Sequence, residues 1–598
     1  MRPQDWKRRG RISTYRTYPE WETDTDYVIR VCGAAGQGIQ TIGATLARVF
    51  ARSGFYVFSY QDYESRVRGG HNFYEIRFSD RLVSAPRGGI DLLIALDRET
   101  LDVDAPELLE GGIGVYDSKA LDTTMDDDRY VDVPFNDIAQ EQAGSRLMAN
   151  TVASGAALGM LGMPGDVIGK VVEATLGRKG SDVVEKNRKE GLAGHTYAKE
   201  HCPKCAFTVL PAGKERLLIA GNEAVGFAAM ASGVKFYAAY PMTPSTGIIT
   251  YLAGKAADHG MIVEQAEDEI SAINMALGAS FMGVRSMTGT SGGGFALMVE
   301  GISLAGMTET PVVIVLGQRP GPATGLPTRT EQADLLFALF AAHGEFPRLL
   351  FAPGNPEQIF SCVNRAFDLA EKYQVPAIVL TDQLLADAEW SLDGIDLDSF
   401  VYNDYRVRGD AYAALPEYKR HALTETGVSP LAVPGDATHV VVTDSDEHSE
   451  EGHIIEDAAT RKRMVEKRMM KKMPLIRGEM VQPELFGADE PDTVLCGWGS
   501  NWGVLREVTD RLNGNGKRVA MLHFSELYPF PEYEGRPWME ALRNAKKTVC
   551  IENNATGRFA YLFRAETGFV FSSNVGGYDG RPFNARDLER ELSNGHLG

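Results

Sequence analysis

The chain has 598 residues, about four times the size of an average domain, so we expect three or four domains that each bury a core. Its 44% apolar and 24% charged residues are ordinary globular composition, and its formal charge of −20 argues against non-specific binding of nucleic acid. The 63 glycines exceed an average share of roughly 7% and indicate many tight strand-to-helix turns.

The six cysteines are scattered, which indicates neither a disulfide framework nor a ferredoxin-type cluster site in this chain. The first residues lack the apolar segment of a secretory signal, and no apolar run is long enough to span a membrane, so we expect a reducing, cytoplasmic setting. Cys202 and Cys205, beside His201, are expected to form a reduced structural turn. A zinc site is the alternative there, but only three candidate ligands lie nearby. We assign no metal ligands to the chain.

The first predicted unit covers residues 1–205. It has strands at 27–32, 56–60 and 92–96, with a glycine turn and a helix over 42–50 between the first two strands. A strand, a glycine turn, a helix and a strand in series form a βαβ unit, which predicts a parallel sheet.

The glycine turn ends with Gly36, Gln37 and Gly38, where the backbone can approach an anion at the start of a helix. Its spacing does not match a dinucleotide fingerprint, and the chain has no P-loop motif. Downstream, Arg66 and Arg68 lie beside a glycine pair and would suit a phosphorylated ligand. A surface turn with unpaired arginines is the alternative.

The second predicted unit covers residues 206–400, with short apolar strands at 217–221, 236–240, 261–264, 311–316 and 377–380 and a helix over 270–283. Such near-continuous apolar strands are typical of a parallel sheet that is buried on both faces. Residues 401–484 form an excursion in which an acidic stretch precedes a basic one; we interpret it as a solvated helix, with a partner-contact segment as the alternative.

The third predicted unit covers residues 485–598, with strands at 493–496, 519–522 and 548–551 and a helix that ends near residue 512. The pattern again alternates strand and helix. The sequence therefore predicts an α/β protein with three α/β units in series.

Candidate chemistry lies in the second unit, after its strands. Thr243 sits in a turn fixed by two prolines, Thr290 and Ser291 begin a small-residue loop, and Arg319 follows a strand beside glycines and prolines. An arginine in that position would suit a substrate with a carboxylate. Three acids, Glu267 to Glu269, open a helix; spacing alone does not separate a catalytic role from a favourable interaction with the helix dipole.

The order of these motifs resembles the α-subunit of 2-oxoacid:ferredoxin oxidoreductases. The resemblance rests on Gly221-Asn-Glu-Ala, Tyr240-Pro-Met-Thr-Pro-Ser-Thr, Gln265-Ala-Glu-Asp-Glu-Ile, Thr290-Ser-Gly-Gly-Gly-Phe and Gly325-Leu-Pro-Thr-Arg-Thr-Glu-Gln. The first unit resembles the family's γ domain through Gly33-Ala-Ala-Gly-Gln-Gly and Arg68-Gly-Gly-His-Asn. The third resembles its transketolase-C-like domain through Gly497-Trp-Gly-Ser, Leu527-Tyr-Pro-Phe-Pro and Glu552-Asn-Asn-Ala-Thr-Gly. The resemblance thus implies a γ domain, a thiamine-diphosphate pyrimidine-type domain and a transketolase-C-like domain.

The resemblance implies roles for single residues. Glu267 matches the glutamate that hydrogen-bonds the aminopyrimidine ring of thiamine pyrophosphate, so that the exocyclic amine of the ring can act as a base. Arg319 matches the arginine that binds the carboxylate of the oxoacid, and Arg329 is its rival. The other matched residues are Thr243 and Thr328 for the oxoacid, Thr290 and Ser291 for the cofactor, and Gly36, Gln37, Gly38, Arg66 and Arg68 for coenzyme A.

The resemblance also implies partners. No Gly-Asp-Gly motif with a following Asn occurs, so Mg²⁺ and the pyrophosphate of thiamine are expected on a separate β subunit that also carries [4Fe-4S] clusters. The γ–α fusion resembles 2-oxoglutarate:ferredoxin oxidoreductases, which make succinyl-CoA and CO2 and reduce ferredoxin, and we expect a dimer of heterodimers. Two alternatives stay open: a subunit for pyruvate or for branched-chain or aryl oxoacids, and a non-catalytic, nucleotide-binding regulatory subunit.

Overall fold

The computed structural model describes residues 25–65, 69–145, 148–176, 180–202, 205, 207–211, 213–436 and 439–597. The first unit contains β1 (Asp26–Ala35), α1 (Ile39–Arg52), β2 (Tyr56–Asp62), β3 (Gly69–Ser79), β4 (Ile90–Ala95), α2 (Arg98–Val103), β5 (Leu108–Tyr116), α3 (Ser118–Leu121), β6 (Tyr130–Asp132), α4 (Phe135–Ala143), α5 (Ala149–Met160), α6 (Asp166–Leu176) and α7 (Ser181–His201).

The second unit contains β7 (Leu217–Ala220), α8 (Gly221–Ala231), β8 (Phe236–Ala239), α9 (Thr246–Ala253), α10 (Ala256–His259), β9 (Ile262–Gln265), α11 (Glu269–Phe281), β10 (Ser286–Ser291), α12 (Gly292–Leu297), α13 (Val299–Thr308), β11 (Val312–Gln318), α14 (Leu335–Phe340), β12 (Leu349–Phe351), α15 (Pro356–Tyr373), β13 (Pro376–Asp382), α16 (Gln383–Asp387) and β14 (Glu389–Leu392).

The excursion contains β15 (Arg406–Val407), α17 (Gly409–Ala413), β16 (Leu431–Ala432), α18 (Ala458–Val465) and α19 (Lys472–Glu479). The third unit contains β17 (Glu484–Gly487), β18 (Thr493–Trp498), α20 (Trp502–Gly514), β19 (Val519–Phe524), β20 (Glu526–Tyr528), α21 (Pro537–Asn544), β21 (Lys547–Glu552), α22 (Arg558–Thr567), β22 (Ser573–Gly576) and α23 (Ala585–Ser593). The α/β class is confirmed. Within the described residues, no helix has the length and apolar character needed to cross a membrane.

The first sheet is mixed rather than parallel. Its strand order is β6-β5-β4-β1-β3-β2-β14-β7, and β3 lies antiparallel between β1 and β2. The prediction of a simple βαβ unit was wrong here because β3 was not predicted. Its buried charges, Glu75 and Arg77, interrupt the apolar pattern that marks a strand. They are held by Arg30 and by Asp26 and Glu507, respectively.

The first sheet also takes strands from the second unit. β14 pairs with β2, and β7 pairs with β14, both antiparallel. The strand at 217–221 was expected to begin a separate unit, but it completes the sheet of the first one. The domain boundaries themselves stay predictions, and the structure adds that the units at 1–205 and 206–400 share a sheet.

The second sheet has the order β20-β12-β13-β11-β10-β8-β9, and β9, β8, β10, β11, β13 and β12 run parallel. β20, from the third unit, pairs antiparallel at its edge. The third sheet has the order β17-β19-β18-β21-β22. Its strands run parallel except β17, which pairs antiparallel at the edge.

Two expectations about polar segments were wrong. The basic stretch is not a simply solvated helix, because Lys467 and Lys472 are fully buried and both pair with Glu309, the residue that follows α13. A π-helical turn over Glu466–Lys471 separates α18 from α19, and its i to i+5 spacing relates these two lysines. At the end of α7, Cys202 and Cys205 form a disulfide rather than a reduced turn, and their Cα atoms lie 5.5 Å apart.

Candidate functional site

The candidate site lies at the carboxyl edge of the second sheet. Neighbouring parallel strands place the residues that follow them at one edge, where ligands of α/β sheets usually bind. Glu267 follows β9 and Thr243 follows β8, while Ser291 ends β10 and Arg319 follows β11. The pairing of Ala239 with Gln265 aligns the ends of the first two strands, and β10 and β11 are also in register at their ends.

Arg319 and Thr243 are in direct contact. One guanidinium nitrogen, Nη1, donates a hydrogen bond of 2.8 Å to the Thr243 carbonyl oxygen. A guanidinium has five N–H donors in a fixed fork, so this bond fixes its direction and leaves donors for a carboxylate. Partial burial lowers the pKa of Arg319, while the nearby Asp334 opposes that shift. The structure therefore brings together two of the residues predicted to bind the oxoacid.

The three acids before and within α11 point in different directions. Asp268 is the helix cap, because its side chain accepts a hydrogen bond of 2.7 Å from the Ser271 N–H. Glu269 is buried, and its Oε1 accepts a bond of 3.3 Å from the Thr290 hydroxyl. Glu267 is exposed at the sheet edge. Among the three carboxylates, that of Glu267 is therefore placed to meet a ligand from outside the chain, and its role stays a prediction.

The end of β10 and the start of α12, where the sequence predicted a small-residue loop, form a narrow cradle. A Cβ atom added at Gly294 would lie 2.1 Å from the Thr290 hydroxyl and 2.2 Å from a Glu269 carboxylate oxygen, so only glycine fits there. Thr290 and Ser291 are fully buried, and the Ser291 hydroxyl has no hydrogen-bond partner among the described residues. This Ser291 hydroxyl could hydrogen-bond the pyrimidine half of thiamine diphosphate, and the assignment of residues to this cofactor stays a prediction. Glu267, Thr290 and Ser291 would hold it.

Asp334 is a site residue that the sequence analysis missed. Burial raises its pKa to about 6, although Arg558 and Arg319 lie near enough to oppose the shift. A Cβ atom at Gly292 would lie 2.6 Å from a carboxylate oxygen of Asp334, so this side chain covers the start of α12. Only its place five residues after Arg329, in the loop that begins with Arg319, could have drawn attention to it.

Thr328 and Arg329 contact the first unit. The Thr328 hydroxyl donates to the Tyr63 carbonyl, and Arg329 pairs with the buried Asp62 at the end of β2. Arg581 of the third unit binds the other oxygen of Asp62. Burial and the nearby Arg581 lower the pKa of Arg329 to about 10. The predicted roles of Thr328 and Arg329 in oxoacid binding stay predictions; in this structure both residues join the candidate site to the first unit.

A buried amide fixes the end of the same loop. Gln332 donates to the Trp498 carbonyl at 2.9 Å, and its Oε1 accepts from the Asn501 side chain at 3.1 Å and from the Asn553 N–H at 3.0 Å. The backbone N–H of Gln332 donates to the Asn553 carbonyl at 2.7 Å. Two motifs of the third unit, the segments that begin at Gly497 and Glu552, thus meet on Gln332. Sequence spacing gave no sign of this contact.

The predicted coenzyme A residues lie at the start of α1. Gly36 and Gly38 have φ of 94° and 89°, which favours glycine, and a Cβ at Gly38 would also collide with Asn150. The Gln37 side chain closes the turn, accepting from the Ala34 N–H at 2.6 Å and donating to the Leu96 carbonyl at 3.1 Å. The arginines predicted to join them, at positions 66 and 68, lie outside the described residues.

Two family models match separate parts of the chain. The family model described as "Pyruvate ferredoxin/flavodoxin oxidoreductase" matches residues 28–197. The model described as "Pyruvate flavodoxin/ferredoxin oxidoreductase, thiamine diP-bdg" matches residues 227–467, the part that contains the cradle.

Three similar proteins cover between 62% and 96% of this chain. The 2-oxoacid:ferredoxin oxidoreductase subunit alpha of Sulfolobus sp is 31% identical over 94% of this chain and 95% of its own. The 2-oxoglutarate synthase subunit KorA of Methanothermobacter marburgensis is 31% identical over 62% of this chain and 96% of its own. The 2-oxoglutarate:ferredoxin oxidoreductase of Magnetococcus marinus, solved with 2-oxoglutarate, coenzyme A and succinyl-CoA bound, superposes with a TM-score of 0.88 at 31% identity, covering 96% of this chain and 100% of its own. Because this likeness extends over nearly the whole length of both chains, the protein belongs to the 2-oxoacid:ferredoxin oxidoreductase family, as an alpha subunit.

Proposed function

We propose that the chain is the γ–α subunit of a 2-oxoglutarate:ferredoxin oxidoreductase. The reaction breaks the bond between the carboxylate and carbonyl carbons of 2-oxoglutarate, releases CO2 and forms the thioester of succinyl-CoA. It yields one proton and two electrons, which pass to ferredoxin, and the reverse direction is a reductive carboxylation. The observation that carries the proposal is the bond from Arg319 to Thr243 beside the cradle, because it aims a guanidinium fork at the sheet edge.

The chain's own residues bind and orient in this mechanism. Thiamine diphosphate would supply the carbon nucleophile that attacks the oxoacid carbonyl. Arg319 would hold the carboxylate of the oxoacid. Holding the reacting groups in a fixed geometry lowers the activation barrier of the reaction, although the arginine itself forms no covalent bond. Glu267 would hold a proton at the ring nitrogen of the aminopyrimidine, which lets the exocyclic amine act as a base.

A dicarboxylic substrate needs a second cation, and Arg558 is the candidate. Its guanidinium lies close enough to Asp334 to oppose the rise of that carboxyl's pKa, as Arg319 also does. The Nε atom of Arg558 is buried and has no hydrogen-bond partner among the described residues. The two arginines thus act electrostatically on one carboxyl group from two units of the chain, an arrangement suited to an anion with two carboxylates.

A β partner would complete the site at the exposed edge. Apolar side chains surround the acid run there: Ile262 of β9 and Ile270 of α11 are 61% and 49% exposed. Met275 and Leu297 add further exposed apolar surface. A groove of about 610 Å³ lies between α11 and α13 and is lined in part by Ile270 and Leu297. Clustered apolar surface of this kind marks an interaction site. The β subunit would bring Mg²⁺, the pyrophosphate of thiamine and the [4Fe-4S] clusters.

The test is reduction of a viologen dye by the chain copurified anaerobically with its β partner. 2-Oxoglutarate and pyruvate are offered separately, each with and without coenzyme A. Reduction that requires both 2-oxoglutarate and coenzyme A is the expected result. A preference for pyruvate would keep the chemistry and change the substrate. Absence of reduction with every oxoacid, despite bound thiamine and intact clusters, would favour the regulatory subunit.

Replacing Arg558 with Ala should raise KM for 2-oxoglutarate more than KM for pyruvate.

A further inference from the structure

Three side chains with metal-ligand chemistry meet in the first unit, away from the carboxyl edge of the second sheet. Cys32 lies in β1, His71 in β3 and Asp104 directly after α2. Their ligand atoms all lie within 4.8 Å of one another. Cys32 is fully buried, and the side chains of His71 and Asp104 are 17% and 2% exposed. The function proposed above uses none of the three.

The sheet register explains why they meet. Cys32 is paired with Phe73 in the antiparallel ladder, so both side chains lie on one face of the sheet. His71 is two residues before Phe73 on the same strand and therefore lies on that face too. Asp97 caps α2 by accepting from the Thr100 N–H, and the short helix then carries Asp104 to the same face.

The facing atoms of His71 and Asp104 form a close ion pair that lacks hydrogen-bond geometry. His71 Nε2 and Asp104 Oδ2 are 2.9 Å apart, yet neither atom has a partner in hydrogen-bond geometry among the described residues. The other oxygen of Asp104 is fixed, because Arg30 donates to it at 3.0 Å. A ligating carboxylate that is oriented through its second oxygen is a usual feature of metal sites.

The local charge also favours a cation. Arg30 lies at the centre of the neighbouring charged groups. Its guanidinium pairs with Glu75, Asp104 and Glu107 at 2.7 to 3.1 Å. Three carboxylates thus share one guanidinium, which leaves an excess of negative charge beside Cys32 when His71 is neutral. A divalent ion bound by the Cys32 thiolate would offset it.

We propose that Cys32, His71 and Asp104 bind a zinc ion, with water in the fourth position. A mixed sulfur, nitrogen and oxygen set suits zinc and disfavours Mg²⁺ and Ca²⁺, which prefer oxygen. Zinc lies about 2.0–2.3 Å from such ligands, so tetrahedral ligands lie roughly 3.3–3.6 Å apart. Small side-chain rotations would bring the three atoms to that spacing. The ion would tie β1, β3 and the end of α2 together next to the turn that ends at Gly38.

The test measures zinc in the full chain copurified with its partner. The protein is incubated anaerobically with equimolar Zn²⁺, desalted and assayed by mass spectrometry of the metals, with iron counted separately. One zinc ion per chain is the expected result. Cys32→Ser and Asp104→Asn should each lower the zinc content about tenfold or more, because each removes a ligand. Cys362→Ser, at a buried cysteine in another core, is the matched control and should keep the ion.

Further arms separate other sources of metal. The double variant Cys202→Ser/Cys205→Ser should also keep the ion. Co²⁺ in place of zinc should give a thiolate charge-transfer band when the full chain is measured without its β partner. Cys32→Ser should abolish that band. Substoichiometric zinc in the unaltered protein would overturn the proposal and leave a protonated His71 as the balancing cation. Zinc that survives both ligand variants, or that is lost with Cys202 and Cys205, would also overturn it.

Discussion

Replacing Glu267 with Gln tests most directly which of the three acids, Glu267 to Glu269, serves catalysis, and Glu269→Gln is the matched control. Both changes keep side-chain volume and remove one charge. Glu267 is exposed at the edge that a partner would cover, whereas Glu269 is buried and bonded to Thr290. We expect Glu267→Gln to lower kcat about 10²- to 10⁴-fold, the usual contribution of a positioned acid or base. Unfolding should stay nearly unchanged, because an exposed carboxylate contributes little to stability.

Glu269→Gln should behave differently. Its amide oxygen can still accept from the Thr290 hydroxyl, and the bond of 3.3 Å is long, so the unfolding free energy should change by about 1 kcal/mol or less. Viologen-dye reduction by the reconstituted complex, measured with urea unfolding of the same samples, separates the two effects. Full turnover of the Glu267 variant together with loss of turnover in the Glu269 variant would refute our reading of the exposed edge.

Three further predictions concern neighbouring charges. Arg319→Ala should raise KM for the oxoacid strongly and leave the affinity for coenzyme A nearly unchanged in steady-state kinetics; the opposite pattern would place the oxoacid elsewhere. Because the folded-state pKa of Asp334 is raised to about 6, the folded protein binds more protons than the unfolded one between about pH 4 and pH 6, so its unfolding free energy should fall as pH rises through that window. Asp334→Asn should remove roughly 2–3 kcal/mol of this fall in the unfolding free energy, measured by urea unfolding at a series of pH values. An unaltered dependence of the unfolding free energy on pH would contradict the raised pKa of Asp334. Glu309→Gln should lower the unfolding free energy by about 3–5 kcal/mol, because Lys467 and Lys472 would stay buried without their counter-ion, and a loss below about 1 kcal/mol would show that the lysines lose their charge instead.

Much of the sheet edge could be predicted from local sequence. Buried parallel strands read as continuous apolar runs, and glycines, prolines and polar residues mark their carboxyl ends. The positions of Thr243 and Arg319 after two strands of the same sheet followed from that pattern, and the structure brings these two residues into contact. The α/β class followed in the same way, since it depends on periodicity within short segments.

Contacts between distant segments could not be predicted. The bond between Thr328 and the Tyr63 carbonyl joins residues 265 positions apart, and no local pattern encodes it. β3 was missed because Glu75 and Arg77 are buried with charged partners from other segments, and hydropathy alone presents such residues as exposed. Lys467 and Lys472 were misjudged for the same reason, since Glu309 lies more than 150 residues away in sequence. Buried ion pairs reverse the usual link between charge and exposure.

The strand β14 has a consequence for fragments of this protein. It covers β2 by antiparallel pairing of Glu389 with Ser59 and of Trp390 with Phe58. A fragment that ended near residue 205 would lack β14 and would leave β2 as an open sheet edge whose first four residues are buried in the full chain. Such an edge offers unpaired backbone groups to any other strand, which promotes aggregation. We therefore expect the first unit to self-associate when it is produced alone, and to stay monodisperse when residues 389–392 are supplied as an added strand.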